Sequence, residues 1–521
     1  MATDQQKSRT VQRALVSVSD KTGLRALVEY LAENAVDILS TGGTAKTIRS
    51  WGIPVQETSE LTGFAALLGG RVKSLHPALH ASILAQPDCA DDLAELAALG
   101  LVPINLLVVN FYPFPSHPIT AHDTGPVEFI DIGGPALVRA AAKNHDSVTV
   151  VTSPKEYPAL LAELGDACAT SPGYRRQCAV RAFARTSAYD SQIAAWLQPF
   201  DGNPDHEHFA LTGRNGKCLA YGENPHQTAM VFSTDPVAGL ANAHQHCGKP
   251  LGYNNLLDAD AAGTLAAAFD AKSTAACVIV KHGSPCGVAT SGKLAEAFAS
   301  AWDCDPLSAF GGVIAVNRPL DTDTAALISR QFVEVILAPA IMPEAMTALK
   351  ARPGVRLLTG NLSTVPPAQE LRSIRGGLLV QEYDDKSIDQ ATFRTVTEVQ
   401  PTEQHVADLG FAMQVAHSAK SNAVVIAKNG ATLGIGSGQT SRVAAACMAT
   451  TTRDRYHRQC PSPVAASDGF FPFPDGVEQL AVAGVAAIAQ PGGSRNDADV
   501  IAAANRLGVA MVLTGRRCFR H

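Results

Sequence analysis

Short apolar runs alternate with stretches in which apolar residues return every three or four positions, and this alternation fills the first 200 residues. Runs at 14–18, 36–39, 106–109 and 148–151 predict strands. The stretches 22–33, 44–50, 90–98 and 135–143 predict helices. Strand and helix in turn argue a parallel sheet with covering helices. A longer helical pattern covers 174–197, after which the chain turns polar and broken through Gln198-Pro-Phe-Asp-Gly-Asn-Pro-Asp-His-Glu-His208. That composition places a domain boundary near residue 200. The remainder, 201–521, has its own α/β alternation. Strands are expected at 276–280, 312–316, 423–427 and 509–513, and helices at 258–270, 294–302 and 405–420. A Pro-rich break at 364–367 is expected to divide this part near residue 365. No internal repeat stands out along the chain.

Composition narrows the class. Charged residues make up 17% and apolar residues 46%, a charged share below the roughly 25% of ordinary globular chains, which argues against disorder. The net charge of −6 gives no reason to expect a nucleic-acid duplex or an anionic membrane as partner. The 11 cysteines contain no C-x-x-C, which fits reduced thiols in a cytoplasmic protein. A polar N-terminus without an apolar core predicts no signal peptide, and no apolar run is long enough for a membrane span.

Two strand-to-helix turns in the first part carry anion-binding chemistry. Ser17-Val-Ser-Asp-Lys-Thr-Gly23 and Ser40-Thr-Gly-Gly-Thr44 each bring hydroxyls and free N–H groups to a helix start, where the dipole favours a phosphate. Either turn alone is equally an ordinary helix cap. Two at successive strand ends favour a shared ligand crevice. In Arg71-Val-Lys-Ser-Leu-His-Pro77 an extended backbone would put both cations on one side. They suit a nucleotide phosphate or a developing negative charge, or else form a solvated basic patch. Tyr112 after the third strand can donate a proton, Asp131 can accept one and Lys143 can hold an oxyanion. Ring closure by an amide nitrogen on a formyl group needs those parts. Tyr112 as plain packing is the alternative.

In the second part Lys281-His-Gly-Ser-Pro-Cys-Gly287 follows a strand and enters a Gly/Pro turn. Lys281 and His282 form a plausible proton-transfer pair, or His282 merely caps the turn. Further ordered motifs are Tyr221-Gly-Glu-Asn-Pro-His-Gln227, Ser308-Ala-Phe-Gly-Gly312, Lys420-Ser-Asn422, Gly434-Ile-Gly-Ser-Gly-Gln-Thr-Ser-Arg442 and Ser467-Asp-Gly-Phe-Phe-Pro-Phe473. His244, His246 and Cys247 lie close in sequence, as do His206 and His208, but neither group has zinc-like spacing. Cys286 stands in half of a zinc-deaminase pattern whose Pro-Cys-x-x-Cys partner is absent. No metal is expected.

The first set of motifs, across residues 12–152, closely resembles inosine monophosphate cyclohydrolase. The second resembles the folate-dependent aminoimidazole carboxamide ribonucleotide formyltransferase. Together they cover nearly the whole chain and resemble the bifunctional formyltransferase/cyclohydrolase family of purine biosynthesis. The resemblance implies an α/β chain: a methylglyoxal-synthase-like, Rossmann-type parallel sheet over 1–200, then two cytidine-deaminase-like α/β domains over 201–521. It implies formyl transfer from 10-formyltetrahydrofolate to the aminoimidazole carboxamide ribonucleotide (AICAR), then dehydrative closure of the formamido product (FAICAR) to inosine monophosphate (IMP).

For the cyclisation site the resemblance implies Lys73, Tyr112, Asp131 and Lys143. Ser17, Ser19, Lys21, Thr22, Thr41, Gly43, Thr44, Arg71, Ser74, Asn110 and Gly133 would hold the nucleotide. Ser74 stands where Thr is usual and keeps the hydroxyl. For transfer it implies Lys281, His282 and Asn422 in catalysis. Tyr221, Gly311, Glu334, Arg442, Asp468 and His521 would contact nucleotide or folate, with Asp468 on the pterin ring. It also implies a homodimer with transferase sites at the subunit interface. Two departures stand out. Ala220 replaces an expected arginine, and Cys518 replaces a histidine. They leave open a chain in which only the cyclohydrolase half works. A nucleotide-binding sensor is the rival from another class, and the retained Lys73, Asp131, Lys281 and His282 argue against it.

Overall fold

The computed structural model describes residues 8–112, 114, 125–197, 208–235, 238–352, 354–361 and 369–521. The sequence boundary at 198–207 and the Pro-rich break at 364–367 lie outside the described residues. The chain divides into two compact units, Met1–Thr212 and Gly213–His521.

The first unit is built on a five-stranded sheet in the order Gln56–Glu57, Asp37–Ser40, Arg13–Val18, Leu106–Asn110, Thr149–Val151. Every pairing in it is parallel. Alternate side chains of each strand enter opposite cores, as the two-residue pleat requires. Ala14, Val16 and Val18 join Leu27, Leu31 and Leu160 on one face. Leu15, Leu107 and Val109 join Leu137, Val138 and Cys178 on the other. The chain order reverses beside the central strand, Arg13–Val18. In open α/β sheets the ends of the strands at such a switch form a ligand crevice. Here those ends are Ser17–Ser19, Ser40–Thr44 and Asn110–Tyr112.

The second unit holds a twelve-stranded mixed sheet. Its element order is written twice. An edge strand, His244–Cys247, precedes the helix Tyr253–Ala267, the hairpin Ala275–Lys281/Ser284–Ser291 and the helix Leu294–Cys304. The strands Val313–Val316, Val335–Ala338 and Arg356–Thr359 follow, with helices between them. The second copy has the edge strand Arg394–Thr395, the helix Glu403–Ser418 and the hairpin Val424–Lys428/Ala431–Gly436. The helix Arg442–His457 and the strands Val464–Ser467, Ala487–Gln490 and Ala510–Leu513 complete it.

The expectation of no internal repeat is therefore corrected. Lys281-His-Gly-Ser-Pro-Cys-Gly287 and Lys428-Asn-Gly-Ala-Thr-Leu-Gly434 occupy matching places. Gly287 and Gly434 do the same work, since a methyl group on either would overlap the carbonyl oxygen of Ala301 or Ala449 on the covering helix. The copies meet at Ala289 and Ala431 and share one core on one face of the sheet, from Val278 and Val335 to Val425 and Val512. On the other face each copy has a core of its own.

The Gly/Pro turn expected at Pro285–Gly287 is also corrected. The two-residue turn is His282–Gly283, and Pro285–Gly287 lies in the strand Ser284–Ser291. The ladder pairs Ile279 with Gly287 and Val280 with Pro285. That irregularity accommodates a proline that regular pairing would exclude.

Candidate active sites

In the first unit Asn110 ties the crevice together. Its side-chain oxygen accepts from the N–H of Ser19 at 2.7 Å, from that of Asp20 at 3.0 Å and from the Ser19 hydroxyl at 2.8 Å. Its amide donates to the Asp20 carbonyl at 2.8 Å. Ser17 Oγ lies 2.7 Å from Thr41 Oγ1, linking the two hydroxyl-bearing turns. Thr44 Oγ1 bonds both main-chain groups of Val18, accepting at 3.2 Å and donating at 3.0 Å. Gly43 is exposed at the start of the helix Gly42–Ser50, Thr22 is exposed, and Lys21 Nζ reaches the Ser19 carbonyl at 3.4 Å.

Arg71 and Lys73 do not lie on an extended segment. The chain turns tightly through Leu68–Gly70, and Leu67 bridges to Val72. The two cations take different partners as a result. Arg71 pairs with Glu128 at 3.2 Å, both groups well exposed. Lys73 Nζ stands 5.6 Å from the centre of the Tyr112 ring, a cation–π contact. Lys73 also acts on Asp131. Burial pushes the Asp131 carboxyl above the ordinary carboxylate range, while the N–H of Gly134 and the Lys73 charge pull it back.

The Asp131 turn is braced from a distance. The N–H of Asp131 donates to the Tyr189 hydroxyl at 2.8 Å, and that hydroxyl donates to the Phe129 carbonyl at 3.0 Å. Tyr189 lies on the helix Pro172–Leu197, and the sequence reading did not single it out. Ser74, buried, packs against Gly133, where a methyl group would overlap its hydroxyl. Lys143 is exposed at the far end of the helix that Gly133 opens, about 15 Å of axial rise away. The geometry thus gathers Lys73, Tyr112 and Asp131, and leaves Lys143 apart from them.

In the second unit Lys281 ends a strand and donates from Nζ to the Phe310 carbonyl at 2.8 Å. His282 and Gly283, both with positive φ, form a two-residue hairpin between Lys281 and Ser284. Two positive φ values match the strand twist and favour Asn-Gly. A left-handed non-glycine residue costs about 1–2 kcal/mol. Asp258 on the helix Tyr253–Ala267 offsets this by accepting from the His282 N–H at 3.2 Å and the Gly283 N–H at 2.6 Å. Lys420 closes the other side of the turn, since a β-carbon on Gly283 would lie 3.3 Å from Lys420 Cε. The segment Lys420-Ser-Asn422 therefore abuts the Lys281-His282 hairpin. Asn422 is fixed by Gln439, whose carbonyl accepts from its side chain at 2.7 Å and from its N–H at 3.0 Å.

Two expected ligand contacts are buried in this chain. Asp468, expected on the pterin ring, is 0% exposed. Its carboxylate pairs with Arg442, accepts from the Ser421 hydroxyl and accepts from the Ala423 N–H at 2.9 Å. Arg442 is buried as well and also donates to the Ala423 carbonyl at 3.1 Å. Burial lowers its guanidinium to about 10. Both residues hold the Ser421–Ala423 segment in place.

The departure at residue 518 falls in the same buried region. Cys518 is 1% exposed, and its N–H donates to the Asp468 carbonyl at 2.9 Å. Arg516, two residues before Cys518, is paired with Asp384. Ala220 is exposed, with its N–H bonded to Leu251 at 2.8 Å.

Of the remaining expected contacts, Tyr221 packs on Gly252, and Gly311, with positive φ, faces Phe332. Glu334 accepts from Asn255 at 2.9 Å and lies 3.8 Å from Arg356. The His521 carbonyl accepts from Arg372 at 2.7 Å. His246 bonds Thr359 at 2.8 Å. Burial pushes the Cys286 thiol up. Among the described residues no three His, Cys, Asp or Glu side chains converge as a metal site, and no helix is long and apolar enough to cross a membrane.

A family model described as the AICARFT/IMPCHase bienzyme matches residues 141–452, more than half of the chain, and one described as an MGS-like domain matches 23–136. The bifunctional purine biosynthesis protein PurH of Bradyrhizobium diazoefficiens is 47% identical over 531 residues, covering 98% of this chain and 99% of that protein. The protein of that name from Dinoroseobacter shibae is 46% identical over 525 residues, with 98% and 99% covered. The one from Synechococcus elongatus is 46% identical over 516 residues, with the same shares. With both units matched, this chain belongs to the AICARFT/IMPCHase bienzyme family and is a bifunctional enzyme, a formyltransferase and a cyclohydrolase in one polypeptide.

Proposed function

We propose that the Gly213–His521 unit transfers a formyl group from 10-formyltetrahydrofolate to the exocyclic amine of AICAR, and that the Met1–Thr212 unit closes the product, FAICAR, to IMP with loss of water. The observation that carries this reading is the juxtaposition of the His282–Gly283 turn with the Lys420–Asn422 segment. The amine nitrogen attacks the formyl carbon, and His282 accepts the proton it loses. Lys281 and the Asn422 region face the oxyanion that forms. Its collapse expels the folate nitrogen, which leaves with a proton.

In the cyclisation the carboxamide nitrogen attacks the formyl carbon of the same nucleotide. Asp131 accepts the amide proton, a task suited to a carboxyl whose proton affinity burial has raised. Tyr112 and Lys73 serve the oxygen that departs as water. Lys73, not Lys143, is the ammonium that acts on Asp131. Ser17, Ser19, Lys21, Thr22, Thr41, Gly43, Thr44, Arg71, Ser74, Asn110 and Gly133 hold the nucleotide. Tyr221, Gly311, Glu334 and His521 serve nucleotide or folate in the transferase. The enzyme acts in the cytoplasm as a homodimer with transferase sites at the subunit interface, and needs no metal.

An assay of both half-reactions on the purified chain tests the proposal. Mixing AICAR with 10-formyltetrahydrofolate should yield tetrahydrofolate and IMP. Cyclisation of supplied FAICAR without formyl transfer would leave the first unit's assignment standing and overturn the second's.

A further inference from the structure

The repeat in the second unit contains its own control. The Lys281–Ser284 and Lys428–Ala431 turns are both two-residue hairpins with two positive φ values. In each, the leading lysine donates to the carbonyl that precedes the next strand: Lys281 to Phe310, and Lys428 to Pro461. In each, an aspartate on the preceding helix accepts from the turn's main chain. Asp258 takes the N–H groups of His282 at 3.2 Å and Gly283 at 2.6 Å, and Asp408 takes that of Gly430 at 3.0 Å. The framework is the same twice. Within the two turn residues the chemical difference lies at one position, where the first copy has His282 and the second Asn429.

We infer that Asp258 is a positioning residue of the formyl transfer: by clamping both N–H groups of the His282–Gly283 turn it fixes the direction of the His282 imidazole. The inference rests on His282 being the proton acceptor. A side chain leaves the backbone along the Cα–Cβ bond, so φ and ψ at His282 set where the ring points. The left-handed conformation there is one that a non-glycine residue leaves readily. The helix that carries Asp258 is anchored through Ala259, Ala262, Leu265 and Ala266, all 0–1% exposed, so the clamp is rigid. Asp408 holds one N–H of a turn that carries no proton carrier, and there the contact serves the fold alone.

The test compares Asp258→Asn with Asp408→Asn in the full chain, by steady-state kinetics of formyl transfer and by thermal melting. An asparagine can accept from one N–H but presents its own N–H to the other. Asp258→Asn should lower kcat on the order of tenfold to a hundredfold, the scale of a misplaced catalytic group, with KM for both substrates held within about twofold. Asp408→Asn, whose amide oxygen can keep the single Gly430 contact, should lower the melting temperature less and leave kcat unchanged. If Asp258→Asn does not fold, Asp258→Glu, which displaces the carboxylate by one methylene, should show the same fall in kcat with KM held. Equal kcat losses in the two asparagine variants, or a rise in KM with kcat intact, overturn the inference. His282→Asn separates the two levels. If that variant still transfers formyl groups, the reading of His282 fails. If it is inactive while Asp258→Asn keeps full kcat, the positioning role alone fails.

Discussion

Asp468 and Arg442 form an ion pair closed to solvent, with the carboxylate 0% and the guanidinium side chain 5% exposed. The same carboxylate holds Ser421 and Ala423 on either side of Asn422. The pair therefore links the buried interior of the second copy to the segment beside the His282 turn.

Removing one partner leaves the other charged and uncompensated. Arg442→Met should destabilise the chain by about 3–5 kcal/mol, read by chemical denaturation. The double variant Arg442→Met/Asp468→Leu should recover much of that loss, because no buried charge remains. A single variant within about 0.5 kcal/mol of the parent would show that the pair is not what holds the Ser421–Ala423 segment.

The two reactions should separate by mutation. Lys281→Ala and His282→Ala should abolish formyl transfer and spare cyclisation of supplied FAICAR. Lys73→Ala should do the reverse. Both half-reactions measured on each variant check this, and near-full transfer in the His282 variant would remove that residue from the mechanism.

Asp131 should titrate above the ordinary carboxylate range, as followed by the carbon chemical shift of its carboxyl. Burial raises it and Lys73 opposes the rise, so Lys73→Met should move the titration higher still. The folded state binds this proton more tightly than the unfolded chain. The penalty of ionising Asp131 therefore appears as pH rises from its unfolded value through its folded one, and stability declines over that window. Movement to lower pH in the lysine variant would show that Lys73 does not act on Asp131.

Gly287→Ala and Gly434→Ala each put a methyl group onto the carbonyl of a covering helix. Backbone, not a flexible side-chain end, must yield. Each should lose about 3 kcal/mol, at the upper end of what overpacking costs. The matching positions should lose similar amounts in denaturant titrations. A variant as stable as the parent would mean that the helix stands farther from the strand than described.

Local chemistry was what the sequence disclosed. Ser17–Gly23 and Ser40–Thr44 announce themselves because a hydroxyl or glycine at a strand-to-helix turn has few other uses. Asp258 and Tyr189 stayed hidden because a polar residue on a helix reads as a solvated face until its partner is known. Tyr189 meets the Asp131 turn across 58 residues of chain. The burial of Asp468 was not legible because carboxylates are seldom buried, and only the contact with Arg442 reveals why this one is. The repeat was obscured for a related reason. Its copies agree in sequence mainly at the leading lysine and two glycines, the positions that the hairpin and the close helix approach demand, while cores of similar volume accept many sequences. Pro285-Cys-Gly287 looked like part of a turn because its place at a ladder irregularity depends on pairing that sequence alone does not display.

The core that runs beneath both copies in the second unit makes them thermodynamically inseparable. Neither copy can open without uncovering apolar surface on its twin, so the pair should melt as one cooperative transition. A polypeptide severed between Thr359 and Arg394 should yield two pieces that aggregate when expressed alone and regain solubility only when produced together.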